Sequence, residues 1–219
     1  MKAIILAAGR GRRMNEITDN KPKCFIKLHG KKLIDWQLET LKNAGIEDIA
    51  LVRGYKKNVF KYNLKYFDNV KWSETNMVTS LLSANSWLKL HTCIISYSDI
   101  IYSPDAVSRL KTIKNDIGIT YDKNWSILWS KRFDDPLIDA ETFRIDKKNF
   151  LIEIGNKPKT LEEVQGQFMG LLKINPNGWD KICKLLNRYT EKEKSNMDIT
   201  NLLKKLIYFG TKVETISIK

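Results

Sequence analysis

Apolar residues fall along this chain in short runs, separated by stretches where they recur at helical spacing. The run Lys2-Ala3-Ile4-Ile5-Leu6-Ala7-Ala8 predicts a buried strand: it is short, apolar on both alternating faces and stopped by Gly9. Leu33, Trp36, Leu38 and Leu41 fall at helical spacing and predict a helix over 33–43 that stops at Ala44-Gly45. Residues 46–52 read as a second strand closed by Gly54, 59–66 as a short helix, and the surroundings of Val70 as a strand. A helix over 79–90, a buried strand over Cys93–Tyr97, a helix over 104–114 and a strand over 118–121 follow. Beyond Asp122 the pattern loosens, with strands expected at 141–146, 150–154 and 169–174. Helices over 176–186 and 198–207 and a strand over 213–218 complete the chain. Strands alternating with amphipathic helices predict an α/β fold. No repeat, linker or low-complexity tract interrupts it, so 1–219 reads as one domain, with about 122–175 forming a substrate-side lobe over the sheet edge.

The candidate chemistry begins where the first strand ends. Gly9-Arg10-Gly11-Arg12-Arg13-Met14 is a glycine-rich turn carrying fixed cations, and Thr18 and Pro22-Lys23 follow it. Glycines let successive backbone N–H groups approach phosphate oxygens as an anion-binding nest, while Arg13 and Lys23 add mobile positive charge. No Gly-Lys-Ser/Thr follows, which excludes a Walker loop, and no third glycine completes a dinucleotide fingerprint. In open α/β sheets ligands bind at the carboxyl ends of strands, where this loop and Ser98-Asp99 both fall.

The full string Leu-Ala-Ala-Gly-x-Gly-x-Arg-Met over Leu6–Met14, with Thr18 and Pro22-Lys23, resembles the signature of the sugar-phosphate nucleotidyltransferase superfamily. Asn76-Met77-Val78-Thr79-Ser80-Leu81, Ser98-Asp99, Gln165–Gly170 and Met197-Asp198 extend the likeness over nearly the whole chain, towards the small CTP-dependent cytidylyltransferases that act on phosphocholine, phosphonates or phosphoglutamine. The resemblance implies a Rossmann-like three-layer α/β/α fold with a mainly parallel central sheet. It implies transfer of CMP from CTP to a small phosphorylated or phosphonate acceptor, with release of pyrophosphate, in cell-surface or capsule decoration. Arg13 and Lys23 would then be the catalytic cations. Leu6, Ala7, Ala8, Gly9, Arg10, Gly11, Gly54, Tyr55, Asn76, Ser80 and Ser98 would line the nucleotide, and Asp99 and Asp198 would hold Mg²⁺. Asn76 and Asp198 read equally well as helix N-caps. A sugar-1-phosphate enzyme using UTP, dTTP or GTP and a nucleotide-binding regulatory module are the alternative readings.

The acceptor end is less determined. Tyr121, Trp125, Trp129 and Phe133 are spaced by four, which places them on one helical face, either as core packing or as a wall for an ammonium group. Glu141, beside Asp134, Asp135 and Asp139, would suit an amine; Arg132, with Lys131 and Lys157, would suit a phosphate or carboxylate; Gln167 lies in the motif shared with the phosphonate and phosphoglutamine enzymes.

Composition changes this picture little. The net charge of +13 is spread as lysines interleaved with acids, with no arginine-rich block, so it predicts a solvated surface that attracts anionic substrates and no nucleic-acid partner. No apolar run reaches the roughly 18 residues of a membrane span, and Cys24, Cys93 and Cys183 lack metal or disulfide spacing, as expected of a cytoplasmic protein. Lys23 next to Cys24 is expected to favour its thiolate somewhat, although a small buried side chain is the simpler reading. A homodimer is compatible with the sequence. His29 and His91 have no partner pattern and read as incidental.

Overall fold

The computed structural model describes residues 1–218, without the side chains of Arg12, Arg13 and Asn15. The first strand, β1 (Lys2–Ala7), divides its side chains between two cores. Ile4 and Leu6 join one, while Ala3, Ile5 and Ala7 join the other. A strand whose alternate residues are both buried must sit inside a sheet covered on both faces.

After the hairpin of β2 (Lys27–Leu28) and β3 (Lys31–Lys32), helix α1 (Leu33–Asn43) leads to β4 (Ile49–Arg53), and β5 (Lys65–Asp68) closes that side. Helices α2 (Met77–Ser83) and α3 (Asn85–Leu90) precede β6 (Cys93–Tyr97), and α4 (Pro104–Thr112) precedes β7 (Ile117–Asp122). Then come the short helix α5 (Trp125–Trp129), the ribbon of β8 (Phe143–Ile145) with β9 (Leu151–Ile154), and β10 (Gln167–Ile174). Helices α6 (Pro176–Leu186), α7 (Glu191–Asn196) and α8 (Ile199–Tyr208) and strand β11 (Val213–Ile218) finish the chain.

The central sheet has seven strands in the order β11-β7-β10-β6-β1-β4-β5. All neighbours pair in parallel except β10, which runs antiparallel to both β6 and β7. Residues from α1 and α4 (Ile34, Leu41, Val107, Leu110) fill one face, and residues from α2, α3, α6 and α8 (Val78, Leu88, Trp179, Leu203) fill the other. This is the α/β fold the alternation predicts, in the three-layer arrangement the resemblance implies. No helix of the described residues is long and apolar enough to cross a membrane.

Four local expectations change, the first being the helix expected over 79–90, which is two helices, α2 and α3, meeting at Ala84. Residues 59–66 are not helical: a 3₁₀ turn spans Lys57–Val59 and the edge strand β5 lies at Lys65–Asp68, ahead of exposed Val70. The strand expected from residue 46 begins at Ile49, because Gly45, at φ 76°, ends α1. There the Gly45 N–H donates to Lys42 O and the Ile46 N–H to Leu41 O, which occupies residues 45–46 in capping the helix. The aromatic spacing of four does not describe one helix face. Tyr121 belongs to β7, α5 covers only Trp125–Trp129, and Phe133 lies beyond it. Trp125 and Trp129 pack with Leu137, Ala140 and Val164 in a small separate cluster, and β10 belongs to the sheet, so this cluster ends short of residue 167.

Candidate active site

At the carboxyl ends of β1 and β6 lies a cavity of about 480 Å³, lined among others by Leu6, Gly9, Gly11, Lys23, Asn76, Ser98 and Asp99. Two distant segments are joined there. Lys23 Nζ donates to Asp99 Oδ2 at 2.5 Å, so the Pro-Lys signature and the strand-end aspartate share one wall. The glycine-rich turn holds its shape through Gly11, at φ 73°, a left-handed conformation that L side chains rarely adopt. A Cβ added to Gly11 would lie 3.1–3.3 Å from the Lys23 stem, so the lysine lies along the turn with its ammonium directed to Asp99.

Behind the turn a second group of contacts fixes its outer edge. Arg10 pairs with Asp19, and the Tyr55 hydroxyl donates to Asp19 O at 2.5 Å. The Tyr55 N–H donates to Ala8 O at 2.8 Å, and the Arg10 guanidinium lies 5.8 Å from the Tyr55 ring centroid. Gly54 is required where these strands end: a Cβ there would lie 2.7 Å from Ala8 O and 2.5 Å from Trp72 Cβ. Arg10, Gly54 and Tyr55 therefore brace the turn from behind and do not line the cavity. Ala7 and Ala8 are buried in the two cores beneath it. Ser80 is also off the wall; it is buried and accepts a hydrogen bond from Asn69 Nδ2 at 3.1 Å. Asn76 lines the cavity and caps α2, its Oδ1 accepting from the Met77 N–H at 2.8 Å. The side chain of Arg13, the second cation assigned from sequence, lies outside the described residues.

Met14, Met77 and Tyr97 also line the cavity and were not singled out from sequence. Tyr97 immediately precedes Ser98-Asp99, so its position two residues before the strand-end aspartate was the available signal. Its ring packs against Gly170, which has φ 77° and whose Cβ would lie 2.5 Å from a ring carbon, and meets Phe168 edge-on at 5.9 Å. Burial raises the pKa of the Tyr97 phenol, and the negative charges of Asp198, Asp99 and Glu141 raise it further. These carboxylates thus come within electrostatic reach of a single phenol. Loss of hydration likewise raises the Glu141 pKa, with Asp198 and Asp139 adding to it and Lys204 opposing.

Asp198 caps α8: Oδ1 accepts from the Asn201 N–H at 2.7 Å and Oδ2 from Asn201 Nδ2 at 3.1 Å. Among the described residues no group of three or more His, Cys, Asp or Glu is arranged to hold a metal. Mg²⁺ seldom uses such a cage; it takes one or two carboxylates together with waters and substrate phosphates. Asp99 on the cavity wall supplies one such carboxylate, whereas Asp198 caps α8 and is not among the residues lining the cavity.

The expected acceptor residues divide. Trp125 is buried and its Nε1–H donates to Val164 O at 3.0 Å, so it is a packing residue. The Gln167 amide donates from Nε2 to Glu141 O at 2.7 Å, and its Oε1 lies 3.5 Å from the Glu141 N–H, so it positions the Glu141 backbone. Arg132 is exposed and lies over the rings of Trp129 and Phe133, at 5.4 and 5.1 Å. Glu141 and Arg132 are both exposed on this lobe.

Comparison with known proteins places this geometry. The family described as MobA-like NTP transferase domain matches residues 3–132. A CTP:phosphoglutamine cytidylyltransferase of Campylobacter jejuni is 38% identical, over 94% of this chain and 88% of that protein. A choline-phosphate cytidylyltransferase of Streptococcus pneumoniae is 43% identical over a shorter stretch, 37% of this chain and 38% of its own. A solved CTP:phosphocholine cytidylyltransferase from Streptococcus pneumoniae superposes with a TM-score of 0.76 at 22% identity, covering 100% of this chain and 90% of that one, a likeness of fold.

Proposed function

The chain belongs to the MobA-like NTP transferase family, and from that premise we propose that it is a cytidylyltransferase moving CMP from CTP onto a small phosphorylated acceptor, phosphoglutamine foremost. The observation that carries this reading is the meeting of the glycine turn, Lys23 and Asp99 on one cavity wall, in a chain 38% identical over most of its length to a CTP:phosphoglutamine cytidylyltransferase.

In this reading the turn's backbone N–H groups receive the β- and γ-phosphates, and the Lys23 ammonium sits where negative charge grows on the departing pyrophosphate. Arg13 acts as the second cation of the turn. An ionised phosphate oxygen of the acceptor attacks the α-phosphorus in line. The new P–O bond forms as the α–β bridging bond breaks, and pyrophosphate leaves with that electron pair. No general base is needed, since the acceptor is already anionic at neutral pH; positioning and charge neutralisation supply the catalysis. Asp99 and Asp198 would hold Mg²⁺, whose contribution when bound is to neutralise and orient the triphosphate. Glu141, whose backbone Gln167 holds, would be the carboxylate to meet an amine on the acceptor.

Pyrophosphate release measured across CTP, UTP, GTP and dTTP, against phosphoglutamine, aminoethyl- and hydroxyethylphosphonate, phosphocholine and a sugar 1-phosphate, tests the proposal. Turnover with CTP and phosphoglutamine, dependent on added Mg²⁺, is expected. Preference for another nucleotide with the sugar 1-phosphate would overturn it, and CTP binding without turnover on any acceptor would point to a regulatory module.

A further inference from the structure

The strand-end aspartate sits in a turn, Tyr97–Ile100, whose central residues are Ser98 and Asp99. The carbonyls on either side of that turn are not left to solvent. Gln37, on the buried face of α1 and 1% exposed, donates from Nε2 to both Tyr97 O at 2.8 Å and Ile100 O at 2.6 Å. Its Oε1 lies 3.1 Å from Ser96 Oγ, which fixes the direction in which the amide points. One turn along the same helix, Thr40 Oγ1 donates to Tyr102 O at 3.3 Å. A helix otherwise packed through Ile34 and Leu41 thus uses a buried amide at the position that meets the turn.

An apolar residue would pack there at no desolvation cost, and buried polar side chains persist where they satisfy specific partners. Both of the amide's donors go to the two carbonyls that bracket Ser98 and Asp99. We propose that Gln37 is a positioning residue for the active site: by bridging Tyr97 O and Ile100 O it sets the orientation of Asp99 towards Lys23 and the metal. The inference rests on the reading of Asp99 as the metal-facing carboxylate of cytidylyl transfer. Displacements of about 1 Å at such a centre cost up to about 100-fold in rate.

Gln37→Met keeps the volume and removes both donors. It is expected to lower kcat by about 10- to 100-fold, to raise the Mg²⁺ concentration needed for half-maximal rate several-fold, and to leave the KM for CTP nearly unchanged. In the protein without metal or nucleotide, backbone amides of 98–100 are expected to exchange with deuterium faster. Ile34→Val, on the same helix, serves as a destabilised control and should leave all four quantities at wild-type values. Gln37→Glu retains one donor while its buried carboxyl is protonated, and should fall between wild type and Gln37→Met; it stands in if the methionine variant does not fold. Wild-type exchange over 98–100, or an unchanged kcat and Mg²⁺ requirement in either Gln37 variant, overturns the inference. If the wild-type protein turns over no acceptor, the proposed function fails, while deuterium exchange still decides the role of Gln37.

Discussion

Lys23→Met separates catalysis from stability most cleanly. The Lys23 stem packs along Gly11, and methionine preserves most of that contact, so the substitution removes charge with little loss of packing. The stability cost can be bounded from the ion pair itself. Lys23 and Asp99 approach to 2.5 Å, but their side chains are 33% and 32% exposed, and solvent screens such a pair to about 0–1 kcal/mol. In a chain of this length that corresponds to a Tm decrease of no more than about 4 °C. The catalytic cost follows a different scale. Removing one preorganised charge or donor aimed at developing negative charge costs about 10²–10³ in turnover, or about 2.7–4 kcal/mol. The catalytic effect should therefore exceed the stability effect by at least about 1.7 kcal/mol. Pyrophosphate release at saturating CTP and acceptor, paired with a thermal melt of the same preparation, measures both. A rate within about tenfold of wild type, or a rate loss no larger than the stability loss, would refute the assignment of Lys23 to the transition state and leave it as a surface ion pair.

Three further outcomes are expected. Gly54→Ala forces a Cβ to within 2.7 Å of Ala8 O and 2.5 Å of Trp72 Cβ, so calorimetry should show destabilisation of about 1–3 kcal/mol, with the Tm lower by several degrees. Asp198→Ala removes an N-cap worth about 1 kcal/mol, whereas Asp198→Ser restores it; stability should return with serine while activity does not, and activity returning as well would reduce Asp198 to a cap. Burial pushes the Cys24 thiol up to about 12, so its thiolate is scarce until pH approaches that value; at pH 8 an alkylating reagent followed by mass spectrometry should label the half-buried Cys183 first, and faster labelling of Cys24 would contradict its burial.

Much of this was legible in the residue pattern, for physical reasons that can be named. β1 and β6 are buried on both faces, so their apolar runs are continuous, and the motifs that end them fall at the sheet edge where they meet. Edge strand β5 was hidden because a four-residue strand carrying Lys65 and Asp68 has no apolar run; its pairing with β4 supplies what propensity does not. The polar helix α7 has no hydrophobic stripe either, but Thr190 and Glu193 form a capping box, and that spacing was a usable sign of its start. The aromatic spacing misled because the chain changes from strand to helix at Lys123-Asn124, and a period of four has no meaning across such a junction. At Cys24 the simpler reading, a small buried side chain, holds: the residue is buried and loss of hydration raises its thiol pKa, so the adjacent Lys23 does not favour the thiolate. Gln37 gave no signal, because nothing in sequence says which buried amide faces which carbonyl.

The reversed direction of β10 has a consequence for how this enzyme family can change. Asp122, the last residue of β7, is the register partner of Gln167, the first of β10. The excursion between them therefore departs and returns at adjacent points of one ladder, roughly 5 Å apart. A segment anchored in that way behaves as a cassette. Its exposed loops can lengthen with only the slow logarithmic penalty of closing a longer loop, while Phe143, Leu151 and Ile154, which reach the main core, hold the segment to the sheet. Variation confined to the loops of 123–166 then leaves the pairing of β7 with β10 in place.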